Sequence, residues 1–361
     1  MIVEDGLVKQ NRSGTWCVVN QSSGTNLYQV NPMESTCTCV DWQLHKHCKH
    51  LDAVQIVLND EAQHDSLHGG DVLDSLVFLN VIQIGLPNLG QTCWLNSLII
   101  GLFQLTSIQE MLQRDPPVPT PHLWNELVDV YLTLQAGLGV LESVTNFHQL
   151  IQSQFPCHQQ HDSEEFLRAI SHLFPQLHGT LQISWSCYAC GQNGSSEPES
   201  FCALGLDVSA VDLLFEHIVT TQELVQQLET QQTPVECSQH GQGYTKEQSQ
   251  HVQLLTLPEI LVLHLKHFTY SDGKLLKLHT PIELSPHLQV HHKNYELKTS
   301  ICHQGTSLEV GHYICNAYFQ HPNQEEKEVF TLSFSDTTVT KYDYFYSNHS
   351  TPYLAFYQEL K

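Results

Sequence analysis

The sequence predicts an α+β fold preceded by a small zinc-binding finger, and three observations carry that expectation. From residue 85 to about 180 apolar residues recur mostly at helical spacing. From 181 onward the pattern shifts to short apolar runs of strand length. Helices first and sheet later is the order of a segregated α+β fold, not of alternating βαβ units. Ahead of both, cysteines and histidines crowd residues 37–50.

Composition narrows the class of protein. A chain of 361 residues with 41% hydrophobic content is globular and long enough for one large domain or two to three smaller ones. Its longest apolar runs, near LIIGLF and ILVLHL, are too short to cross a bilayer, and MIVEDGLVKQ lacks the basic-then-apolar pattern of a secretory leader. An intracellular chain, nuclear or cytoplasmic and without a membrane partner, is therefore expected. Lys plus Arg number 15 against 38 Asp plus Glu, a formal net charge of −23. That balance repels nucleic acid and favours basic partners; the plainer reading is solubility alone. With no secretory signal, the twelve cysteines point to metal binding or catalysis before disulfides.

Taken in order, SGTWCVVNQSSGTNLYQV (13–30) reads as two short strands around a Ser/Gly turn. The Cys/His cluster comes next, then LDAVQIVLNDEAQ as an amphipathic helix. These make a ββα finger over 1–64, a linker over 65–84, and a main domain over 85–361. In the main domain SLIIGLFQLTSIQEMLQR, LWNELVDVYLTLQAGL and SEEFLRAISHLF are helical patterns, interrupted by PPVPTPH. TLQISWSC, HVQLLTLPEILVLHLKHF, YELKTSICHQG, HYICNAYF, EVFTLSFS and TPYLAFYQEL are strand patterns, and the glutamine-rich 222–232 is helical or loop-like.

Two clusters have metal-ligand spacing. Cys37, Cys39, Cys48 and His50 form C-x-C-x8-C-x-H, three thiolates and an imidazole suited to a tetrahedral structural Zn2+. The alternative is a set of reduced thiols beside histidines. Cys187 and Cys190 form a C-x2-C half-site with a turn glycine after it, and the distant Cys237 and His240 form C-x2-H, which can complete a second Zn2+ site. There the alternative is that Cys237 and His240 are plain loop residues.

A third cysteine has a different setting. In GLPNLGQTCWLNSLIIGLFQL (85–105), Cys93 stands where a polar, glycine-bearing loop becomes an apolar helix. A thiol at a helix N-terminus feels the positive end of the helix dipole, which favours the thiolate. N–H groups there, with the Asn88 side chain, can stabilise an oxyanion. That is the layout of a cysteine hydrolase nucleophile; the alternative is a buried structural cysteine. A partner base is available in His312 of GTSLEVGHYICNAYF, which comes after a glycine and opens a strand pattern.

The motifs carry two family resemblances. CTCVDWQLHKHCKHLDAV, with strands before it and a helix after, resembles the SWIM zinc finger. GLPNLGQTCWLNSLIIGLFQL resembles the cysteine box GLxNLGNTCYMNSxLQ of the ubiquitin-specific proteases. QHDSEEFL (160–167) resembles their QQDAxEFL box, LPEILVLHLKHF (257–268) their LPxxLxxHLKRF stretch, and ICHQGTSLEVGHYICNAYF (301–319) their HxGxxxxGHYxA box. SFSDTTV and TPYLAFYQ are similar to the closing FNDxxV and AYxLFY segments, and all occur in the family order.

The resemblance implies a papain-like fold of helical thumb, sheet-rich palm and zinc-bearing fingers. It implies a deubiquitinating thiol hydrolase that cuts after the C-terminal glycine of ubiquitin. Cys93 would be the nucleophile, His312 its general base, and Asn88 an oxyanion donor; Gln160, Asp162, Glu165 and Tyr313 would line the channel for the ubiquitin tail. The SWIM-like finger would bind a protein at least as readily as DNA. The sequence departs from the family at Phe334-Ser335-Asp336, where serine stands in the place that usually orients the histidine. Either Ser335 orients His312, or Asp336 supports the histidine or the oxyanion site, and Asp336 is expected to matter more. Other readings are a weak or inactive ubiquitin-binding adaptor, a protease for another ubiquitin-like modifier, and a nucleic-acid adaptor built on the finger.

Overall fold

The structure is a computed structural model describing residues 8–10, 16–19, 27–31, 36–37, 81–114, 122–187, 190–208, 218–230, 233–235, 248–271, 274–278, 280–305, 311–320, 329–346 and 352–360. In chain order it begins with strands β1 (Val8–Gln10), β2 (Trp16–Val19), β3 (Leu27–Asn31) and β4 (Thr36–Cys37). Helices α1 (Cys93–Phe103), α2 (Thr106–Leu112), α3 (His122–Ala136), α4 (Val140–Ile151) and α5 (Ser163–Ile170) come after them. Next are β5 (Gly179–Cys187), β6 (Asn193–Ser195), β7 (Glu199–Phe201), β8 (Leu204–Asp207), β9 (Val219–Thr220), α6 (Thr221–Thr230), β10 (Thr233–Val235), β11 (Gln248–Thr256) and β12 (Ile260–Lys266). The chain continues with β13 (Phe268–Ser271), β14 (Lys274–Lys277), β15 (Ile282–Glu283), β16 (His287–Val290) and β17 (Lys293–Gln304), and ends with β18 (His312–Gln320), β19 (Val329–Ser335), β20 (Thr338–Tyr342) and β21 (Pro352–Glu359).

The chain divides into two compact units. One holds Met1–Pro87, Pro116–Gln154 and Pro322–Glu325. In it β1 to β4 form an antiparallel sheet in sequence order. The helical hairpin of α3 and α4 belongs to the same unit; Gly137 (φ 71°) and Gly139 (φ 72°) supply the left-handed backbone of its turn. Trp124, Leu127, Val130, Tyr131 and Leu134 of α3 are buried at helical spacing. The two strands expected in residues 13–30 correspond to β2 and β3. The helix expected over 51–63 and the boundary at 64/65 lie outside the described residues.

The other unit holds Asn88–Asp115, Phe155–His321 and Glu326–Lys361. Every residue of α1 is buried, as expected of the helix CWLNSLIIGLF, which is apolar on all sides. The long helical run expected after Ser97 is interrupted: Leu105 is extended (ψ 122°), so α1 and α2 are separate helices. Among the described residues, eight strands form the main sheet in the order β20-β19-β18-β17-β21-β12-β8, with β16 also pairing β17. Helix α1 packs on β17, β18 and β19. Gly101 permits the approach, because a Cβ there would lie 3.1 Å from Ile301 Cδ1. A second sheet joins β10, β11, β5 and β6, with β7 also on β5. The apolar stretch 251–268 divides at Pro258, which has no N–H for a ladder, so β11 and β12 enter different sheets. Residues 222–230 of the glutamine-rich stretch are helical and form most of α6.

Two strand registers bring distant residues together around His312. Antiparallel β17 and β18 place Gln304 opposite His312 and His303 opposite Tyr313. Strands β19 and β20 pair Ser335 with Thr338, which leaves Asp336 in a two-residue turn at φ 50°.

Candidate active site

The loop before α1 is held from both sides. Asn88 Oδ1 accepts from the backbone N–H groups of Gly90 and Thr92, each at 3.0 Å. Gln91 N donates to Cys157 O at 2.7 Å. Gly90 has φ 143°, and a Cβ on it would sit 2.8 Å from the same carbonyl, so only glycine fits. The loop thus delivers Cys93 as the first residue of α1, at the positive end of its dipole. Trp94 anchors the start of the helix between Phe155, His161 and Phe166, with ring centroids 5.5, 5.0 and 5.2 Å away.

The structure brings the side chains of Cys93 and His312 into hydrogen-bonding contact. Burial pushes the Cys93 thiol up, but hydrogen bonds from His312, the Tyr313 backbone N–H and Gln160 outweigh it, and the thiol sits below its ordinary value. The hydrogen bond to Cys93 holds His312 above its usual value against burial, and the charges of Cys93 and Asp336 push the same way. Opposite shifts on two touching groups favour a thiolate–imidazolium pair. Gln160 Nε2 lies 3.6 Å from Cys93 Sγ and donates to Gly311 O at 3.3 Å, which ties the thiol to the residue preceding His312.

At Ser335-Asp336 the structure shows two separate contacts. His312 Nε2 lies 2.9 Å from Ser335 Oγ. Asp336 turns away from the imidazole contact: its Oδ2 accepts from Asn88 Nδ2 at 2.9 Å and its Oδ1 from Asn96 Nδ2 at 2.7 Å. One amide hydrogen of Asn88 is therefore engaged by Asp336, and the second can be donated to an oxyanion beside Cys93. Asn96 was not foreseen; its signal was its place three residues after Cys93, on the same helix face.

The four residues expected to line a tail channel fare differently. Asp162 caps α5 by accepting from Glu164 N at 2.7 Å, and it accepts from Tyr353 OH at 2.6 Å. Tyr313 is buried, with its ring centroid 4.6 Å from His303 and 5.9 Å from Tyr353. Gln160 is beside Cys93, in contact with its sulfur. Glu165 is exposed on α5, whereas its neighbour Glu164 is buried and pairs with Arg168.

The metal-ligand candidates are only partly within the described residues. Cys37 is buried on β4; Cys39, Cys48 and His50 lie outside them. Cys187 ends β5, its N–H donating to Gln192 O at 2.8 Å and its carbonyl accepting from Gly191 N at 2.9 Å. With Gly191 at φ 71°, this is a tight turn that carries Cys190. Strand pairing places Val235, Gln248 and Cys187 in one row across β10, β11 and β5. The chain leaves that row two residues before Cys237, and both Cys237 and His240 lie outside the described residues. A cysteine pair on such a turn has the donor chemistry of a zinc half-site. Among the described residues no group of three or more Cys, His, Asp or Glu is gathered as a metal site, and no helix is long and apolar enough to cross a membrane.

The family model described as ubiquitin carboxyl-terminal hydrolase matches residues 84–357. A curated relative, ubiquitin carboxyl-terminal hydrolase 9 of Saccharomyces cerevisiae, is 32% identical over 120 residues, a segment that is 30% of this chain and 16% of the relative. Among solved structures, the SAGA DUB module Ubp8/Sgf11/Sus1/Sgf73 bound to monoubiquitin is similar in fold, with TM-score 0.58, 18% identity, and coverage of 92% of this chain and 81% of that one. The same module bound to ubiquitin aldehyde gives TM-score 0.57 at 18% identity, covering 92% and 81%.

Proposed function

We infer that the chain, which belongs to the ubiquitin carboxyl-terminal hydrolase family over residues 84–357, is a cysteine-type deubiquitinase that cleaves the isopeptide or peptide bond after the C-terminal glycine of ubiquitin. The observation that carries the reading is the hydrogen-bonded contact of Cys93, at the start of α1, with His312, a contact that favours the thiolate and the imidazolium together. The solved relatives were captured with monoubiquitin and with ubiquitin aldehyde, an electrophile for a cysteine nucleophile, which supports ubiquitin as the partner.

The positions of these groups dictate the chemistry. The Cys93 thiolate attacks the carbonyl carbon of the terminal glycine, and the carbonyl oxygen becomes an oxyanion. Asn88 Nδ2 and the backbone N–H groups at the start of α1 donate to it. The C–N bond then breaks, and the His312 imidazolium gives its proton to the leaving amine. The thioester left on Cys93 is hydrolysed by water that His312, now neutral, deprotonates. Ser335 keeps the imidazole ring in plane throughout. In this reading Gln160, Asp162, Glu165 and Tyr313 would line the channel for the ubiquitin tail, where acidic Asp162 and Glu165 suit a tail that carries basic residues.

Zinc is structural in this reading. Cys187, Cys190, Cys237 and His240 would hold one ion at the tip of the β5–β11 sheet, and Cys37, Cys39, Cys48 and His50 another, each fixing a fold without entering the reaction. Residues 1–64 would be a SWIM-type finger joined by 65–84 to the catalytic domain 85–361, positioning the protease on a protein partner inside the nucleus or cytoplasm.

The test is covalent labelling by a ubiquitin probe with a C-terminal electrophile. Labelling of the wild type and its loss in Cys93→Ala are expected. Ubiquitin binding without labelling would replace the enzyme by a binding adaptor, and absence of both would point to another modifier.

A further inference from the structure

Lys277 ends β14, a hairpin strand remote in sequence from the catalytic residues. Its ammonium nevertheless reaches the strand that precedes His312. Lys277 Nζ donates to His303 O and to Gly305 O, both at 2.8 Å, and lies 3.1 Å from His303 Nδ1. An ammonium has no lone pair, so Nδ1 must accept, and the proton of the neutral ring sits on Nε2. The ring is then fixed on its other sides. It packs on Tyr313 at 4.6 Å between centroids. Its Nε2 lies against Gly311, where a Cβ would come within 2.3 Å, shorter than any contact a side chain tolerates. Gly311 in turn carries His312 and gives its carbonyl to Gln160, the side chain beside Cys93.

We propose that Lys277 and His303 are positioning residues for the catalytic histidine, setting Gly311, and through it His312, at the distance the Cys93 thiolate requires. The inference rests on the deubiquitinase reading for its turnover assay but not for its geometry. Lys277 binds both carbonyls that flank the start of the 305–311 connection, so it fixes one end of the segment whose other end bears His312. The His303 ring is the spacer between the two ends. Glycine at 311 is then a requirement of the spacer, since no side chain fits between the ring and the backbone. A neutral His303 also avoids placing a second cation beside Lys277 and near His312; burial and then Lys277 hold it at about 4, so the spacer keeps one protonation state through the working range.

The experiment compares wild type, Lys277→Met and Lys277→Arg in the full chain. Two quantities are read: turnover of a ubiquitin–fluorophore substrate, and the pH midpoint for iodoacetamide alkylation of Cys93, tracked on its own peptide by mass spectrometry. For Lys277→Met, kcat falls about ten- to a hundredfold with KM nearly unchanged, the loss a displaced catalytic group brings. Its alkylation midpoint rises toward that of an ordinary cysteine, because the imidazolium no longer faces the thiolate. Lys277→Arg, which keeps the charge and the donors, recovers most of both. A simple stabilising role would lower the melting temperature and leave the midpoint of the folded protein in place. Wild-type kcat and an unshifted midpoint in Lys277→Met would overturn the proposal. If Lys277→Met does not fold, Lys277→Gln is read in its place; if that also fails to fold, Lys277 is a folding residue and the proposal falls. A wild type that does not turn over ubiquitin would remove the substrate reading, while the alkylation midpoint would still decide the role of Lys277.

Discussion

Asp336 Oδ1 accepts a hydrogen bond from Asn96 Nδ2 at 2.7 Å, which joins the turn after β19 to the first turn of α1. With one oxygen fixed by Asn96, the other meets Asn88 at 2.9 Å. The carboxylate therefore contacts Asn88, the proposed oxyanion donor, and acts on His312 through its charge.

That arrangement makes Asp336→Asn a sensitive probe. Asparagine tolerates the positive φ of this turn, so the backbone survives. Its amide cannot accept from both Asn88 and Asn96, and the oxyanion donor is released. We expect kcat to fall about a hundredfold, the scale for losing an oxyanion donor, with KM near wild type. Asn88→Ala should cost as much, and the double variant little more, because both act through one amide. Additive losses in steady-state kinetics, or an Asp336→Asn enzyme with full kcat/KM, would refute this.

Ser335 gives a smaller and different effect. A neutral hydroxyl 2.9 Å from Nε2 orients the ring without charging it. Ser335→Ala should lose about 1 kcal/mol of transition-state stabilisation, roughly fivefold in kcat/KM. Ser335→Asp places a carboxylate beside the imidazolium and should move the alkaline limb of the pH–rate profile up by about one unit, since an adjacent opposite charge favours the protonated ring. An alkaline limb that stays in place would mean that the new carboxylate does not face His312.

Much of this site was legible because its residues sit in contiguous motifs. The N-terminal position of Cys93 showed as a loop-to-helix change of pattern, and His312 as a glycine leading into a strand. The division of labour between Ser335 and Asp336 was not legible, because adjacent residues in a turn point in different directions and only the φ of 50° at Asp336 decides which way. Lys277, His303 and Tyr353 were missed for another reason. Their contacts depend on strand register, as between His303 and Tyr313. A register is set by pairing across the sheet, and no local spacing encodes it. The break between α1 and α2 was hidden because Leu105 continues the apolar periodicity while leaving the helical backbone.

His303 should make the fold acid-sensitive. Burial and then the Lys277 charge lower it from 6.5 to about 4, with His312 acting in the same direction and Asp162 opposing. Between those two values the unfolded chain binds more protons at this group than the folded chain, so stability rises with pH there and is lost as pH falls from 6.5 toward 4. The melting temperature measured across that window should decline on acidification, and His303→Gln should flatten the slope. An unchanged slope in the variant would assign the acid sensitivity to other groups.

The proposed zinc of the β5–β11 sheet predicts a metal signature. Cys187→Ser and Cys237→Ser should each lower the zinc content of the purified chain, measured by mass spectrometry of the metal, and lower the melting temperature. The reactivity of Cys93 toward iodoacetamide should stay as in wild type, because a structural ion takes no part in the reaction. Equal zinc in wild type and both variants would remove the ion from this sheet.

Gly90→Ala tests the loop that presents the nucleophile. A left-handed φ of 143° and a Cβ only 2.8 Å from Cys157 O give an alanine two separate conflicts. The chain has to move, and the nearest adjustable contact is the hydrogen bond from Gln91 N to that carbonyl, 2.7 Å in the native loop. Breaking it frees the segment between Asn88 and Cys93 and so loosens the oxyanion donor and the helix start together. The backbone strain is on the order of 1–3 kcal/mol, small enough for the domain to stay folded. The loss in kcat should exceed what the fall in melting temperature explains, because the displaced atoms belong to the transition-state site. An alanine variant with native kcat would show that the loop adapts without moving Asn88, and that its rigidity is not needed for the reaction.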